Sequence, residues 1–397
     1  MSWDRLPAEA TLHPKPFRAN VSDQELEDFK DLLRLSKLGP KTYENLQSDG
    51  HFGISRNWLA SAKDHWLHKY DWRKTEARIN ALPNFTVPIE HKDATLDIHF
   101  VALYSGKRDA PPLLLLHGWP GSFLEFVGTL ELLKRKYTPE NLPFSVIVPS
   151  LPGYGYSAGP PLHADFGCED AARMMDKLMV GLGFDSFIAQ GGDIGSVLAR
   201  ILVTTSDHCK TAHLNMSIVQ PPHEGAIEAL NEKERTAYKR AQDFATTGNA
   251  YARMHGTRPA TIGLALSSSL WLSSHGRIGE KFQQWSDTDP SLDEMLDSVT
   301  LYWFTECFAR CIHPYRQFLN QSFHTNPKYY IKKPFGYSWY PKELSPTPKD
   351  WVATTGNMTW FRAHDEGGHF AAWEKPEIFV RDMEDFTGEL WDAVKSR

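Results

Sequence analysis

Cysteine is scarce: Cys168, Cys209, Cys307 and Cys311 are the only four in 397 residues, and they are scattered along the chain. That is too few for a disulfide framework and fits a reducing compartment. No run of about 18 or more apolar residues occurs, so no span of a bilayer is expected. The opening Met-Ser-Trp-Asp-Arg-Leu-Pro also lacks the basic-then-apolar design of a signal peptide. A cytoplasmic protein with no membrane anchor is the expectation. Basic charge is not in excess either. Lys and Arg number 43 against 49 Asp and Glu, a net charge of −6, which argues against nucleic acid as a partner. Internal repeats and low-complexity tracts are also lacking. With 41% hydrophobic and 23% charged residues, the chain is neither disordered nor fibrous. Its length calls for one large domain with an insertion, or for two domains.

Residues 1–110 are polar, aromatic-rich and irregular. A helix is expected over Asp23 to Ser36, because Ser22 and Glu25 stand at capping-box spacing. A second is expected from Asn57 to Tyr70, and a strand from Thr95 to Tyr104, where apolar residues alternate. The pattern changes after Pro111-Pro112. Three short apolar runs, Leu113–Leu116, Ser145–Val148 and Phe187–Gln190, end in glycine or proline or lead into it. Helical patterns lie between them, around Ser122 to Arg135 and Glu169 to Leu182. Such alternation predicts an α/β fold with a mostly parallel sheet, whose ligands bind beyond the carboxyl ends of the strands. From about Pro221 the alternation lapses. Glu228 to Thr246 reads as a charged helix, and Leu292 to Phe318 as one or two more. Strand signals resume near Met358–Phe361, before a closing helix from Pro376 to Ser396. The expected division is a core of 111–220 and 335–397, with 221–334 inserted as a helical cap.

Gly191-Gly192-Asp193-Ile194-Gly195 follows a predicted strand and opens a predicted helix. Small residues two before and two after the centre allow a sharp turn that projects the central side chain. This is the nucleophile-elbow pattern with Asp193 in the serine position, although a glycine-rich helix N-cap would look the same. A carboxylate there can attack carbon and form an ester. His117-Gly118-Trp119-Pro120 follows the first core strand, so the Trp119 N–H can face a developing oxyanion beside the Ile194 N–H. Gly367-Gly368-His369-Phe370 lies past the last strand, where a histidine base would complete the chain order of nucleophile, acid and base. Glu343, Asp350 and Asp365 all remain candidates for the orienting acid.

These motifs resemble the microsomal-type epoxide hydrolases of the α/β-hydrolase fold, the soluble fungal members above all. The likeness extends over nearly the whole chain. Tyr70-Asp71-Trp72-Arg73 and Leu82-Pro83-Asn84-Phe85 are similar to that family's N-terminal segment, which implies that residues 1–110 wrap the core. The match over Pro341 to Trp351 implies Glu343 as the acid. The resemblance further implies two proton-donating tyrosines in the cap, Tyr251 before Thr257-Arg258-Pro259, and Tyr315 in His313-Pro314-Tyr315-Arg316. It implies hydrolysis of an epoxide, of the cis-stilbene-oxide type, in detoxification or aromatic-hydrocarbon catabolism, with no cofactor. A homodimer is compatible with it. The chain departs from the family at Ile194, where many relatives carry tryptophan, and at Ser268 and Leu270, where mammalian relatives carry Asp and Pro.

Two other functions share parts of this pattern. A haloalkane dehalogenase has the Asp elbow and the histidine but usually holds halide with a tryptophan next to the nucleophile, and Ile194 stands there. A non-catalytic binding protein on the same fold would show a broken site, and every expected position is filled. No metal centre is expected, since Cys307 and Cys311, spaced i,i+4, lack further ligands and His313 is incidental.

Overall fold

The computed structural model describes residues 2–269, 279–318 and 322–396. Among the described residues nine strands form one sheet in the order β1-β2-β3-β5-β4-β6-β7-β8-β9. Three of them, β4 (Pro112–Leu116), β5 (Ser145–Pro149) and β6 (Phe187–Gly191), are buried along their whole length. Strands covered on both faces need unbroken apolar runs, which is why these three are visible in the sequence. Pairing is parallel from β5 through β4, β6, β7 (Cys209–Leu214) and β8 (Ile331–Trp339) to β9 (Gly356–Ala363). The fold class is α/β as expected.

Residues 1–110 do more than wrap this core. They contribute β1 (Lys15–Pro16), β2 (Asn84–His91) and β3 (Ala94–Leu103), which extend the sheet antiparallel through β3 and β5. Helix α1 spans Asp23–Leu35 with the Ser22–Glu25 capping box formed, and α2 spans Arg56–His68. A third helix, α3 (Trp72–Asn80), lies outside the helices expected from the sequence.

Two strands of the parallel sheet also escaped the reading, which resumed strands only near Met358. Strand β7 reads Cys-Lys-Thr-Ala-His-Leu and lacks an apolar run. Two of its polar side chains reach β8: Thr211 donates to the Pro334 carbonyl at 2.7 Å and His213 Nε2 meets Ser338 at 3.0 Å. Strand β8 opens Ile-Lys-Lys-Pro and begins before residue 335, the expected core boundary. Its register shifts on both sides of Phe335, which gives Pro334 the irregular position that proline needs in a sheet. Between β7 and β8 the described residues form helices that include Glu232–Asp243, Ala250–Thr257 and Pro259–Ser267. The expected helix or pair of helices from Leu292 to Phe318 is three short ones, Leu292–Phe304, Phe308–Cys311 and Tyr315–Phe318.

Strand order reverses at β4, with β5 on one side and β6 on the other. The connections from β4 and β6 therefore run to opposite sides and leave a crevice at their carboxyl ends. His117–Pro120 and the 191–195 turn both lie there. The turn is tight. A Cβ on Gly191 would strike the backbone of Gly195, and one on Gly195 would strike the Leu116 carbonyl. Gly195→Ala should therefore overpack this contact and cost about 1–3 kcal/mol. A thermal melt should register the loss, and an unchanged Tm would show that the strand and turn can separate without cost.

Candidate active site

Asp193 is the first residue of the helix Asp193–Thr205 and has φ of 45°, a left-handed conformation that a non-glycine residue seldom adopts. Such strain persists only where the surroundings enforce it, and here the close packing of Gly191 and Gly195 does so. The turn lifts the carboxylate away from the sheet. Its Oδ1 accepts the Trp119 N–H at 2.8 Å, and its Oδ2 lies 3.3 Å from His369 Nε2. No hydrogen bond runs from the Ile194 N–H to this carboxylate among the described residues. Of the two expected backbone donors, the structure brings Trp119 to Asp193 in this state.

His369 is held from its other side. Its Nδ1 is 2.6 Å from Glu343 Oε1, and both side chains are buried. They come from separate loops, Glu343 after β8 and His369 after β9. A bridge joins those loops: Lys342 pairs with Gly368, and the Lys342 N–H donates to the Gly367 carbonyl at 3.1 Å. The His369 backbone N–H donates to the Trp285 carbonyl at 3.0 Å, and the Trp285 ring stands edge-on to the imidazole. The rival acids lie elsewhere. Asp365 is fully exposed and pairs with Lys233, and Asp350 is exposed in the short helix Lys349–Ala353.

Tyr251, in Ala250–Thr257, and Tyr315, opening Tyr315–Phe318, converge above Asp193. The Tyr251 ring stacks on Trp119 with centroids 4.8 Å apart, and Tyr315 meets Trp119 and Tyr251 edge-on at 5.9 and 5.8 Å. Both phenols are pushed well above the ordinary tyrosine value. Burial is the main cause for each, and the Asp193 charge adds to it. They are therefore neutral O–H donors near neutral pH. Asp193 and both phenols line a cavity of about 600 Å³ whose other walls include Ile194, Val197, Met216 and Phe323.

Sequence reasoning passed over two residues here. His255 follows Tyr251 by one helical turn and packs against Trp119 and Tyr315, a spacing that could have flagged it. Glu125 is the one charge in Phe-Leu-Glu-Phe-Val, just after the Trp119 turn, and a carboxylate in an apolar run was the available signal. Ser268 is exposed beyond the helix that ends at Ser267, and Leu270 lies outside the described residues. Among the described residues no cluster of His, Cys, Asp or Glu could hold a metal ion, and no helix is long and apolar enough to cross a membrane. Cys307 and Cys311 are free buried thiols.

Burial alone would lower the His369 pKa. The charges of Glu343 and Asp193 and their hydrogen bonds to the ring outweigh it and lift the ring from 6.5 to about 10. The two carboxylates thus favour the protonated form of the imidazole they flank.

Comparison with known proteins places this geometry in context. Residues 14–126 match the family described as the epoxide hydrolase N terminus, and residues 111–382 match the alpha/beta hydrolase fold. The solved Aspergillus niger epoxide hydrolase is 48% identical, covers 98% of this chain and 100% of its own, and superposes with a TM-score of 0.94. Epoxide hydrolase 1 of the rabbit, Oryctolagus cuniculus, is 31% identical over 94% of this chain and 88% of its own. A Dothistroma septosporum protein assigned provisionally as an epoxide hydrolase is 43% identical over 97% of this chain and 92% of its own.

The His369 clamp has a direct test. A raised folded-state pKa stabilises the fold fully below the unfolded value of 6.5, and that contribution is lost as pH rises through about 10. An NMR titration should find the resting imidazole still protonated at pH 8. In Asp193→Asn it should titrate at lower pH, because one of its two anions is gone. Identical titrations in the two proteins would contradict the clamp.

Proposed function

The chain belongs to the epoxide hydrolases of the α/β-hydrolase fold, and we propose that it converts an epoxide and water to a vicinal diol through a covalent ester on Asp193. The observation that carries this reading is the placement of Asp193 on the floor of an apolar cavity, between a backbone donor and a histidine, with two phenols converging above it. In this reading the helices between β7 and β8 are the cap that supplies the phenols. The size and apolar lining of the cavity suit bulky aryl or alkyl epoxides, cis-stilbene oxide among them.

In the first step an Asp193 oxygen attacks the less hindered or benzylic epoxide carbon. The ring C–O bond breaks as the Asp–carbon bond forms, and Tyr251 and Tyr315 hold the leaving oxygen and donate its proton. Ester formation removes the Asp193 charge. One of the two anions that raised the His369 pKa is then gone, and burial now favours the neutral ring. The imidazolium gives up its proton, which restores the phenol, and His369 becomes a base only after the nucleophile has reacted. In the second step it takes a proton from water as the water oxygen attacks the ester carbonyl. The Trp119 N–H already faces Asp193 Oδ1, which serves as the carbonyl oxygen of the ester, and the Ile194 N–H is the second donor once charge develops there. On collapse the bond between the former carboxylate oxygen and the Asp193 carbonyl carbon breaks, the departing alkoxide takes the proton of the newly added hydroxyl to complete the diol, and Asp193 returns as a carboxylate beside a protonated His369. Glu343 orients the ring and stabilises its charge throughout.

His369→Gln should separate the two steps, because alkylation of Asp193 needs no base. The variant should consume about one equivalent of epoxide and stop. Intact mass should rise by the mass of the epoxide, and the adduct should lie on the peptide holding Asp193. Full binding of epoxide with no adduct would contradict the ester.

A further inference from the structure

Hydrolysis of an Asp193 ester requires a water, yet the alkyl group of the ester would occupy the large cavity. Asp193 also lines a second, much smaller void of about 20 Å³, whose other walls include Gly118, Trp119, Glu125, Gln190 and His369. One water needs about 10–15 Å³ of such space, so this void admits a single water and excludes substrate. The two phenols line the large cavity and His369 lines the small one.

Two buried oxygens among the lining residues have no protein partner, Glu125 Oε1 and Gln190 Oε1. Gln190 donates its Nε2 to Asn215 Oδ1 at 2.8 Å, which leaves its carbonyl oxygen as the free end. Glu125 is half-buried as a residue, but its Oε1 is sealed from solvent. Its carboxyl folds back over Gly121 into space that any side chain at 121 would fill. Orphaned buried acceptors cost free energy unless a water or ligand satisfies them. Burial pushes the Glu125 carboxyl up to about 8; the His369 charge and backbone hydrogen bonds from Ser122 and Gly118 oppose the shift, and the Asp193 charge adds to it. A mainly neutral side chain at pH 7 does not compete with Glu343 or Asp193 for the imidazolium.

We infer that this void seats the hydrolytic water and that Glu125 is its positioning residue, assisted by Gln190. One O–H of the water points to His369 Nε2 and the other to the Glu125 and Gln190 acceptors. With both hydrogens directed, the oxygen lone pair is left to face the Asp193 carbonyl carbon. The inference rests on the ester reading and adds the placement of its second reactant.

Single-turnover kinetics with chemical quench and mass detection read ester formation and ester hydrolysis separately. Glu125→Leu should form the ester at the parent rate and hydrolyse it roughly 10- to 100-fold more slowly, the scale of losing a well-oriented reactant. Glu125→Gln retains a carbonyl acceptor and should recover most of that loss, which a purely structural role would not require. Gln190→Met should show a smaller slowing of the same step, and it serves as the probe if Glu125→Leu does not fold. Ester hydrolysis at the parent rate in the folded variants, or equal slowing of both steps, would overturn the assignment. Absence of ester in these variants and in His369→Gln alike would instead remove the covalent reading, and this inference with it.

Discussion

One buried imidazole faces two carboxylates, Glu343 at Nδ1 and Asp193 at Nε2, and the architecture of the site is built around this clamp. Three chain segments must meet to build it. The turn after β6 brings Asp193, and the loops after β8 and β9 bring the acid and the base. The Lys342–Gly368 bridge ties the last two together. The crevice left by the strand reversal at β4 is what lets the Trp119 loop approach the same carboxylate.

In the proposed mechanism the clamp also orders the chemistry. While Asp193 is an anion, His369 holds a proton and is no base, so water is not activated before the epoxide has reacted. Once the ester forms, burial works against the remaining charge and the ring becomes competent. The two cavities that meet at Asp193 carry the same order into space: phenols where an alkoxide would form, the histidine and Glu125 where water would attack. A nucleophile with a neighbour on each side needs no movement between the steps.

Much of this was legible in the sequence, and for physical reasons. Fully buried parallel strands leave apolar runs, so β4, β5 and β6 were visible, and with them the turns that carry Trp119 and Asp193. Strands β7 and β8 were hidden because polar side chains such as Thr211 and His213 bond across the pair and a proline marks an irregularity in β8, neither of which leaves a periodic trace. His369 stood out through its two glycines past the last strand. Spacing alone could not choose among Glu343, Asp350 and Asp365; the resemblance chose Glu343, and the structure places that carboxylate against the ring. Tyr251 and Tyr315 were reached through the resemblance as well, since no short-range pattern marks a phenol that meets its partner across a long interval of chain. Glu125 was missed because its meaning lies in a void that only the folded chain encloses.

The central claim is that Asp193 becomes an ester, and the path of one oxygen atom tests it most directly. In direct hydrolysis the oxygen of water enters the diol. In the ester route the new diol oxygen comes from the Asp193 carboxylate, and solvent oxygen enters the protein when the ester carbonyl is attacked. A single turnover in ¹⁸O-water with enzyme in excess should give mostly unlabelled diol and label in the peptide holding Asp193. Labelled diol with unlabelled protein in that first turnover would contradict the account and leave Asp193 as a general base at most.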